Sequence, residues 1–280
     1  MKINIPVVET IKNRKSIRTY EERQLTEDDR RKLMKYIDEV TNPFGVKVNI
    51  HVIEKGLNPK GEKLGTYGMI KGASTFLGIT VENTEFCMEA VGYQIENLVL
   101  YATDMGLGTV WLAATFNRNG FASAMGLKDD TLFPALLPIG YPADKKSFQE
   151  STTRKMLQAD KRKPWDKLFF KDNYHTPLTE KEAAEYALPL EMLRLAPSAT
   201  NAQPWRVVKQ GEIYHFYETH RGGTVEEKMI KRVDVGIALS HFHQTALDKN
   251  LSGRFEKLSI ENIEAPANTN YIISWISNTN

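Results

Sequence analysis

Residues Leu195 to Val208 read Leu-Ala-Pro-Ser-Ala-Thr-Asn-Ala-Gln-Pro-Trp-Arg-Val-Val, and three kinds of local structure meet in them. Upstream, Leu188, Leu190, Met192, Leu193 and Leu195 fall at helical spacing. That pattern stops at Pro197, which cannot continue a helix comfortably. Downstream, Trp205 to Val208 begins a strand-like run. Between them, Ser198, Thr200, Asn201 and Gln203 crowd hydrogen-bonding groups into a loop held by Pro197 and Pro204. Such a loop can lay backbone and amide groups against a flat heteroaromatic ligand. The same residue types also build ordinary helix-to-strand connections, so the loop alone leaves both readings open.

The second informative stretch is Arg14-Lys15-Ser16-Ile17-Arg18-Thr19-Tyr20, which follows a short amphipathic helix expected over residues 7–13. Three cations and a serine within five residues suit an anion such as phosphate. Arginine forks bind it bidentately and the hydroxyl adds a donor. A solvated basic turn has the same composition. Leu25-Thr26-Glu27-Asp28-Asp29 then starts a helix, with Thr26 as the cap and Asp29 three positions on.

Strands are expected over 46–53 and 75–81, separated by a Gly- and Lys-rich loop or flap from Gly56 to Gly72. Glu89 to Met105 is the longest helical stretch and broad enough in its apolar face to be largely buried. Gly106-Leu107-Gly108 ends it; without a third glycine and a preceding strand it is no dinucleotide fingerprint. A strand-like piece at 109–112, a short helix at 119–125 and a core strand at 133–139 follow. Residues 144–163 are polar and basic and read as a connector. Beyond it, Leu178-Thr179-Glu180 starts a helix, strands flank the Gln210-Gly211 turn, residues 234–249 form a buried helix and 271–276 a last strand.

Two spacings suggest an internal duplication. Leu-Thr-Glu recurs at 25–27 and 178–180, and Val91-Gly92 recurs as Val235-Gly236 with Ala and Asp at matching distances beyond each. Each half then reads helix, strand, strand, helix, strand, which divides the chain into domains at 1–150 and 151–280.

Composition excludes more than it assigns. The 280 residues are 41% hydrophobic and 26% charged, ordinary for a globular protein. The net charge of +2 is scattered, where nucleic-acid binding needs a concentrated basic face. One cysteine, Cys87, excludes an internal disulfide framework and a cysteine metal cluster. No signal-like or membrane-length apolar run occurs, so a soluble cytoplasmic protein with neither nucleic-acid nor membrane partner is expected. His241 and His243 point in different directions on a helix and make poor joint metal ligands, so no metal site is assigned. No nucleophile elbow or P-loop is present.

Taken together, Ile11-x-x-Arg14-Lys15-Ser16-Ile17-Arg18-x-Tyr20 and Ala196-Pro197-Ser198-Ala199-Thr200-Asn201-Ala202-Gln203-Pro204-Trp205 resemble the two hallmark segments of the FMN-dependent nitroreductase family. Glu96-Asn97-Leu98, Gly106 to Leu112, Gly140-Tyr141-Pro142 and Arg162-Lys163-Pro164 look like further landmarks of it. The resemblance implies an α+β fold with central mixed sheets flanked by helices, and non-covalent FMN, usually held at a homodimer interface. By the family's pattern Arg14, Lys15, Ser16 and Arg18 contact the phosphate, ribityl chain and pyrimidine edge. Pro197, Ser198, Ala199, Thr200 and Asn201 line the ring, Gln203 is a further contact, and Arg162 supplies another phosphate-binding cation.

This chain departs from the pattern in one respect. The loop motif normally follows soon after the Arg-x-Ser motif, yet Val40-Thr41-Asn42-Pro43-Phe44-Gly45 stands there. Conversely, the second half carries Lys-Leu-Phe-Phe-Lys at 167–171, where a repeated cation motif would fall. The expectation is therefore a single chain of two tandem related halves mimicking the family's dimer. One half gives the phosphate grip and the other the ring loop, with one FMN site kept and a monomer sufficing. The implied activity is NAD(P)H-driven reduction of a nitroaromatic, quinone or similar acceptor, with NADH or NADPH as the transient donor. The alternatives on the same scaffold are dehalogenation, ene reduction, oxygen-dependent flavin breakdown, or flavin binding without turnover. No side chain is assigned as catalytic.

Overall fold

A computed structural model describes residues 2–54, 64–128, 131–145, 147–220, 222–260 and 262–278. The described residues group into two compact units. Unit one comprises Asn13–Cys87 and Gln94–Asp160; unit two comprises Lys2–Lys12, Met88–Tyr93 and Lys161 onward.

Helix α1 (Val7–Asn13), counted with unit two up to Lys12, ends at the cation motif, as the sequence pattern predicts, and unit one follows. Helix α2 (Glu27–Glu39) starts where expected, with Thr26 accepting the Asp29 N–H at 3.2 Å. Strands β1 (Val48–Glu54) and β2 (Thr75–Val81) pair antiparallel. Of the expected flap at 56–72, residues 56–63 lie outside the described residues and the remainder forms turns, with Met69 N–H bonded to Thr66 O. Helix α3 (Cys87–Asp104) is buried on every side from Cys87 to Leu100, which explains its apolar character around the whole circumference. It closes at Gly106, whose φ of +79° suits a glycine. Strand β3 (Gly108–Thr109) is shorter than the expected 109–112. Helix α4 (Arg118–Met125) and strand β4 (Leu132–Gly140) complete the expected order.

The polar stretch read as a connector contains a helix instead, α5 (Phe148–Met156). Its Lys and Arg content hid a capping signal: Ser147 Oγ accepts the Glu150 N–H at 3.1 Å.

In unit two, β5 (Phe169–Lys171) precedes the four-residue helix α6 (Glu180–Ala183), which opens on a full capping box between Thr179 and Glu182. Helix α7 (Ala187–Arg194) follows. Strands β6 (Trp205–Gln210) and β7 (Ile213–Thr219) form a hairpin around Gly211 at φ +57°. Helix α8 (Val225–Asp248) begins nine residues earlier than its apolar pattern indicates, because Thr224 and Glu227 form another capping box. Strands β8 (Gly253–Glu256) and β9 (Thr269–Ser277) end the chain's regular structure.

Strand order carries the duplication. The first sheet runs β1-β2-β4-β3; the second runs β6-β7-β9-β8, with β5 added outside β6. In both, the second and third strands in sequence are joined through a long buried helix, α3 or α8, and every pair among these eight strands is antiparallel. Only β5 is parallel to its neighbour, which makes the second sheet mixed. In the first, parallel bridges come from Ser16 to Thr109 and from Thr19 to Lys71.

The repeated Val-Gly pairs also have a purpose. Within unit two, the Met88–Tyr93 turn packs against α8 at glycines. A Cβ on Gly92 would run into Val233 O, and a Cβ on Gly236 into Glu89 O. Both the glycines and the residues they meet are 144 positions apart, so the contact is reciprocal.

Candidate functional site

The cation motif is held by its apolar neighbours. Ile17 and Tyr20 pack into a cluster with Val110, Leu112, Phe116 and Phe121. Gly108 lacks the Cβ that would collide with the Ile17 side chain at 2.8 Å. Backbone bonds from Ile17 N–H to Thr109 O and from Tyr20 N–H to Lys71 O, each 2.9 Å, fix the segment on both sides. With Ile17 and Tyr20 committed to the core, the backbone of Arg18, the charged residue between them, is fixed from both sides.

The cations differ in setting. Lys15 is exposed and Ser16 half-buried. The Arg14 side chain is only 8% exposed, with Nε 3.8 Å from Oε1 of the buried Glu96, whose Oε2 accepts the Trp111 indole N–H at 2.9 Å. Arg18 donates its backbone N–H to Glu150 Oε2 at 3.2 Å. Both Arg14 Nε and Arg18 Nε are buried, and no hydrogen-bond partner reaches them among the described residues. Burial pushes the pKa of each guanidinium below its ordinary value; Glu96 and Glu150 respectively oppose the shift, and the positive charge of Arg154 adds to it. An arginine stays charged under such pressure, so an anion beside it lowers the cost where loss of a proton does not. Glu150, Arg154 and Glu96 are the residues that the motif alone does not reveal. The signal for two of them is the capped helix hidden in the basic stretch.

In unit two the loop after α7 is strained and heavily braced. Thr200, Asn201 and Gln203 all have positive φ, at 53°, 55° and 48°, a backbone region costly for residues other than glycine. Asp234 Oδ1 on α8 accepts the Ala199 N–H at 2.9 Å, and Ser198 Oγ accepts the Gln203 N–H at 2.9 Å. The buried Gln203 side chain takes the Lys163 N–H on Oε1 at 2.7 Å and gives its amide to Asn201 O and Oδ1. Arg162 donates to Leu195 O at 3.0 Å, to Lys161 O and, at 3.5 Å, to Asn201 Oδ1. Lys163 Nζ closes on Ala202 O at 2.7 Å. Within this unit Arg162, Ser198, Asn201 and Gln203 are thus brought together, and Arg162 and Gln203 hold the loop's shape. Pro197 and Ala199 are partly covered, while Thr200 faces solvent.

Relief of this strain is measurable. Thr200→Gly is expected to stabilise the protein by up to about 1 kcal/mol, since the left-handed penalty removed slightly exceeds the added unfolded-state entropy. An unchanged or lower urea midpoint contradicts this.

Other sequence candidates have ordinary roles. His241 Nδ1 lies 3.0 Å from Met192 O, and His243 Nδ1 is 2.7 Å from the Tyr93 hydroxyl; their partners differ. Cys87 is buried. Among the described residues no helix is long and apolar enough to cross a membrane.

Comparison with known proteins agrees with this architecture. A family model described as "Putative TM nitroreductase" matches residues 6–246. The chain is 24% identical over 157 residues to a protein of Archaeoglobus fulgidus described as "Putative NADH dehydrogenase/NAD(P)H nitroreductase", a match covering 51% of this chain and 90% of that one. A solved structure from Thermotoga maritima, described as a "putative nitroreductase", resembles the chain over 100% of its length and 97% of its own, with a TM-score of 0.63 at 20% identity, which shows the shared α+β fold. A nitroreductase with bound FMN from Bacteroides fragilis matches 51% of this chain and 91% of its own at a TM-score of 0.41 and 18% identity. Because the family model spans most of the sequence, the chain belongs to this nitroreductase family.

Proposed function

We propose that this protein is an FMN-dependent oxidoreductase that takes electrons from NADH or NADPH and delivers them to a small electron-poor acceptor such as a nitroaromatic or quinone. The observation that carries the reading is the pair of buried guanidinium nitrogens, Arg14 Nε and Arg18 Nε, left without hydrogen-bond partners among the described residues in a segment fixed by Ile17 and Tyr20. A phosphate monoester fits them: it supplies charge to a group that burial alone disfavours, and acceptor oxygens to orphan donors. FMN, when bound, supplies the redox chemistry.

The chain's own residues bind and orient. Arg14 and Arg18, with Ser16, hold the phosphate end, and the exposed Lys15 offers a cation to negative charge that develops on the cofactor. Within unit two, residues Pro197 to Asn201 form a braced backbone surface that suits a flat ring. Arg162 and Gln203 contribute by bracing that surface. No side-chain acid or base is needed for hydride transfer to an electron-poor acceptor, and none is assigned.

The test is the visible absorption spectrum of the purified protein, reconstituted with FMN where needed, before and after adding NADH or NADPH under anaerobic conditions. Flavin bands that bleach with the nucleotide and return on adding a nitroaromatic or quinone support the reading. Bands that persist sink the reductase and leave a flavin binder. A protein that takes up no FMN sinks both.

A further inference from the structure

Helix α5 is fastened to the cation motif by a short chain of hydrogen bonds. Ser147 N–H donates to Thr19 Oγ1 at 3.1 Å, Thr19 Oγ1 donates to Glu150 Oε2 at 2.9 Å, and Arg18 N–H reaches the same oxygen at 3.2 Å. The bonds seat the first turn of α5 beside residues 18 and 19. Arg154 lies four residues beyond Glu150, on the same face and one turn along. Its side chain is only 13% exposed, and its charge acts on both Arg14 and Arg18.

Arg154 thus brings a further positive charge to a segment that already holds Arg14, 3.8 Å from Glu96, and Arg18, at a cost in hydration and repulsion. Glu150 spends Oε2 on a backbone N–H and a hydroxyl, and its buried Oε1 has no hydrogen-bond partner among the described residues. Arg154 has a partner of its own, Asp160 Oδ1 at 2.6 Å from Nη2. That carboxylate is 83% exposed and lies past the end of α5, so it gains little from burial and parts from the arginine at small cost.

We propose that Arg154 is a third anion-binding guanidinium beside Arg14 and Arg18, and that Asp160 competes with the bound phosphate for it. The residue sets how tightly the phosphate is held, and the competing carboxylate weakens that hold. The identity of the anion as the FMN phosphate rests on the function proposed above; the anion site itself does not.

The experiment titrates full-length wild type, Arg154→Gln, Arg154→Lys and Asp160→Asn with FMN, with riboflavin, which lacks the phosphate, and with inorganic pyrophosphate. Arg154→Gln is expected to weaken FMN binding by ~10-fold or more, the scale of one charged hydrogen-bonded contact, while riboflavin binding stays unchanged. Arg154→Lys recovers part of the loss, and Asp160→Asn tightens FMN severalfold. A purely structural role for Arg154 would weaken FMN and riboflavin alike, which overturns the proposal. Equal FMN affinity in wild type and Arg154→Gln overturns it too, leaving the flavin reading intact. Wild type that binds no FMN but loses pyrophosphate binding on Arg154→Gln keeps the anion site and removes the flavin reading. Pyrophosphate binding indifferent to Arg154 in such a protein removes both. Should Arg154→Gln not fold, Asp160→Asn decides: unchanged FMN and pyrophosphate affinity refutes the competition and with it the proposal.

Discussion

Replacing either Gly92 or Gly236 with alanine will lower the stability of the protein by about 1–3 kcal/mol, although alanine is the better helix former. An alanine in a helix interior gains about 1 kcal/mol over glycine by propensity alone. Here that gain is overridden. The methyl group at 92 would meet Val233 O well inside contact, with Ile237 N at 2.8 Å and Gly236 Cα at 2.9 Å. At 236 it would meet Glu89 O, with Glu89 Cα at 2.9 Å. All of these are backbone atoms, so no rotamer change makes room and the helices must part. The parting is itself costly, because Glu89 is fully buried and held by two bonds from Arg232, at 2.6 and 2.9 Å. The measurement is the urea midpoint with its slope unchanged. The double variant should cost less than the sum of the singles, since the first methyl already opens the space that the second needs. A raised midpoint in either single variant would mean that propensity prevails and that the close crossing is not required.

These glycines are legible as a repeat from the sequence alone, because Val91-Gly92 and Val235-Gly236 share a spacing with the residues beyond them. What spacing does not reveal is that each glycine meets the other's helix; that is a contact between residues far apart in the chain. The long helices, β2 and β4 are readable for a simple reason. Residues 87–100 of α3, residues 233–242 of α8, the whole of β2 and most of β4 are buried, so apolar runs mark them without any need for periodicity. Polar helix starts are read where a Leu-Thr-Glu signal marks them, as at α2 and α6, and lost where it is absent. The start of α8 and the whole of α5 rest on capping by Thr224 and Ser147, while their exposed faces carry charge as a connector would. The site divides in the same way. Arg14, Ser16 and Arg18 are neighbours in sequence, so their shared chemistry is local. Arg154 and Asp234 reach the candidate segments through folding alone, and an isolated arginine or aspartate in the sequence carries no mark of it. Gln203 and Arg162 are legible as polar residues near a candidate loop, but their hydrogen bonds turn inward and give them a bracing part.

Asp234→Asn will remove a pH dependence of stability that wild type carries between about pH 4 and pH 7. Asp234 is buried, and its burial pushes the carboxyl from an ordinary 3.8 up to about 7. The Ala199 N–H and Lys231, whose Nζ lies 3.9 Å away, pull it back, while the charge of Glu218 on β7 adds to the rise. Its Oδ2 has no hydrogen-bond partner among the described residues. Below about pH 4 the carboxyl is protonated in both folded and unfolded chains and costs nothing. As the pH rises from there, the unfolded chain releases the proton and the folded one keeps it, so ionisation favours unfolding. The stability held at low pH is lost progressively until the folded group titrates near 7, and the curve is level above. A rise of about three pH units corresponds to about 4 kcal/mol. Asparagine keeps an oxygen for the Ala199 N–H and has no charge to lose. The difference in unfolding free energy between wild type and Asp234→Asn should therefore shift against wild type by several kcal/mol from about pH 4 to about pH 8, with every other titrating group cancelling. Parallel profiles would show that Asp234 ionises at its ordinary pH. The cost is informative because of where it falls: the ionised carboxylate is the stronger acceptor for Ala199, at the head of a loop with three strained residues. Stability is thus given up at two adjoining places, the buried carboxylate on α8 and the strained loop that it braces.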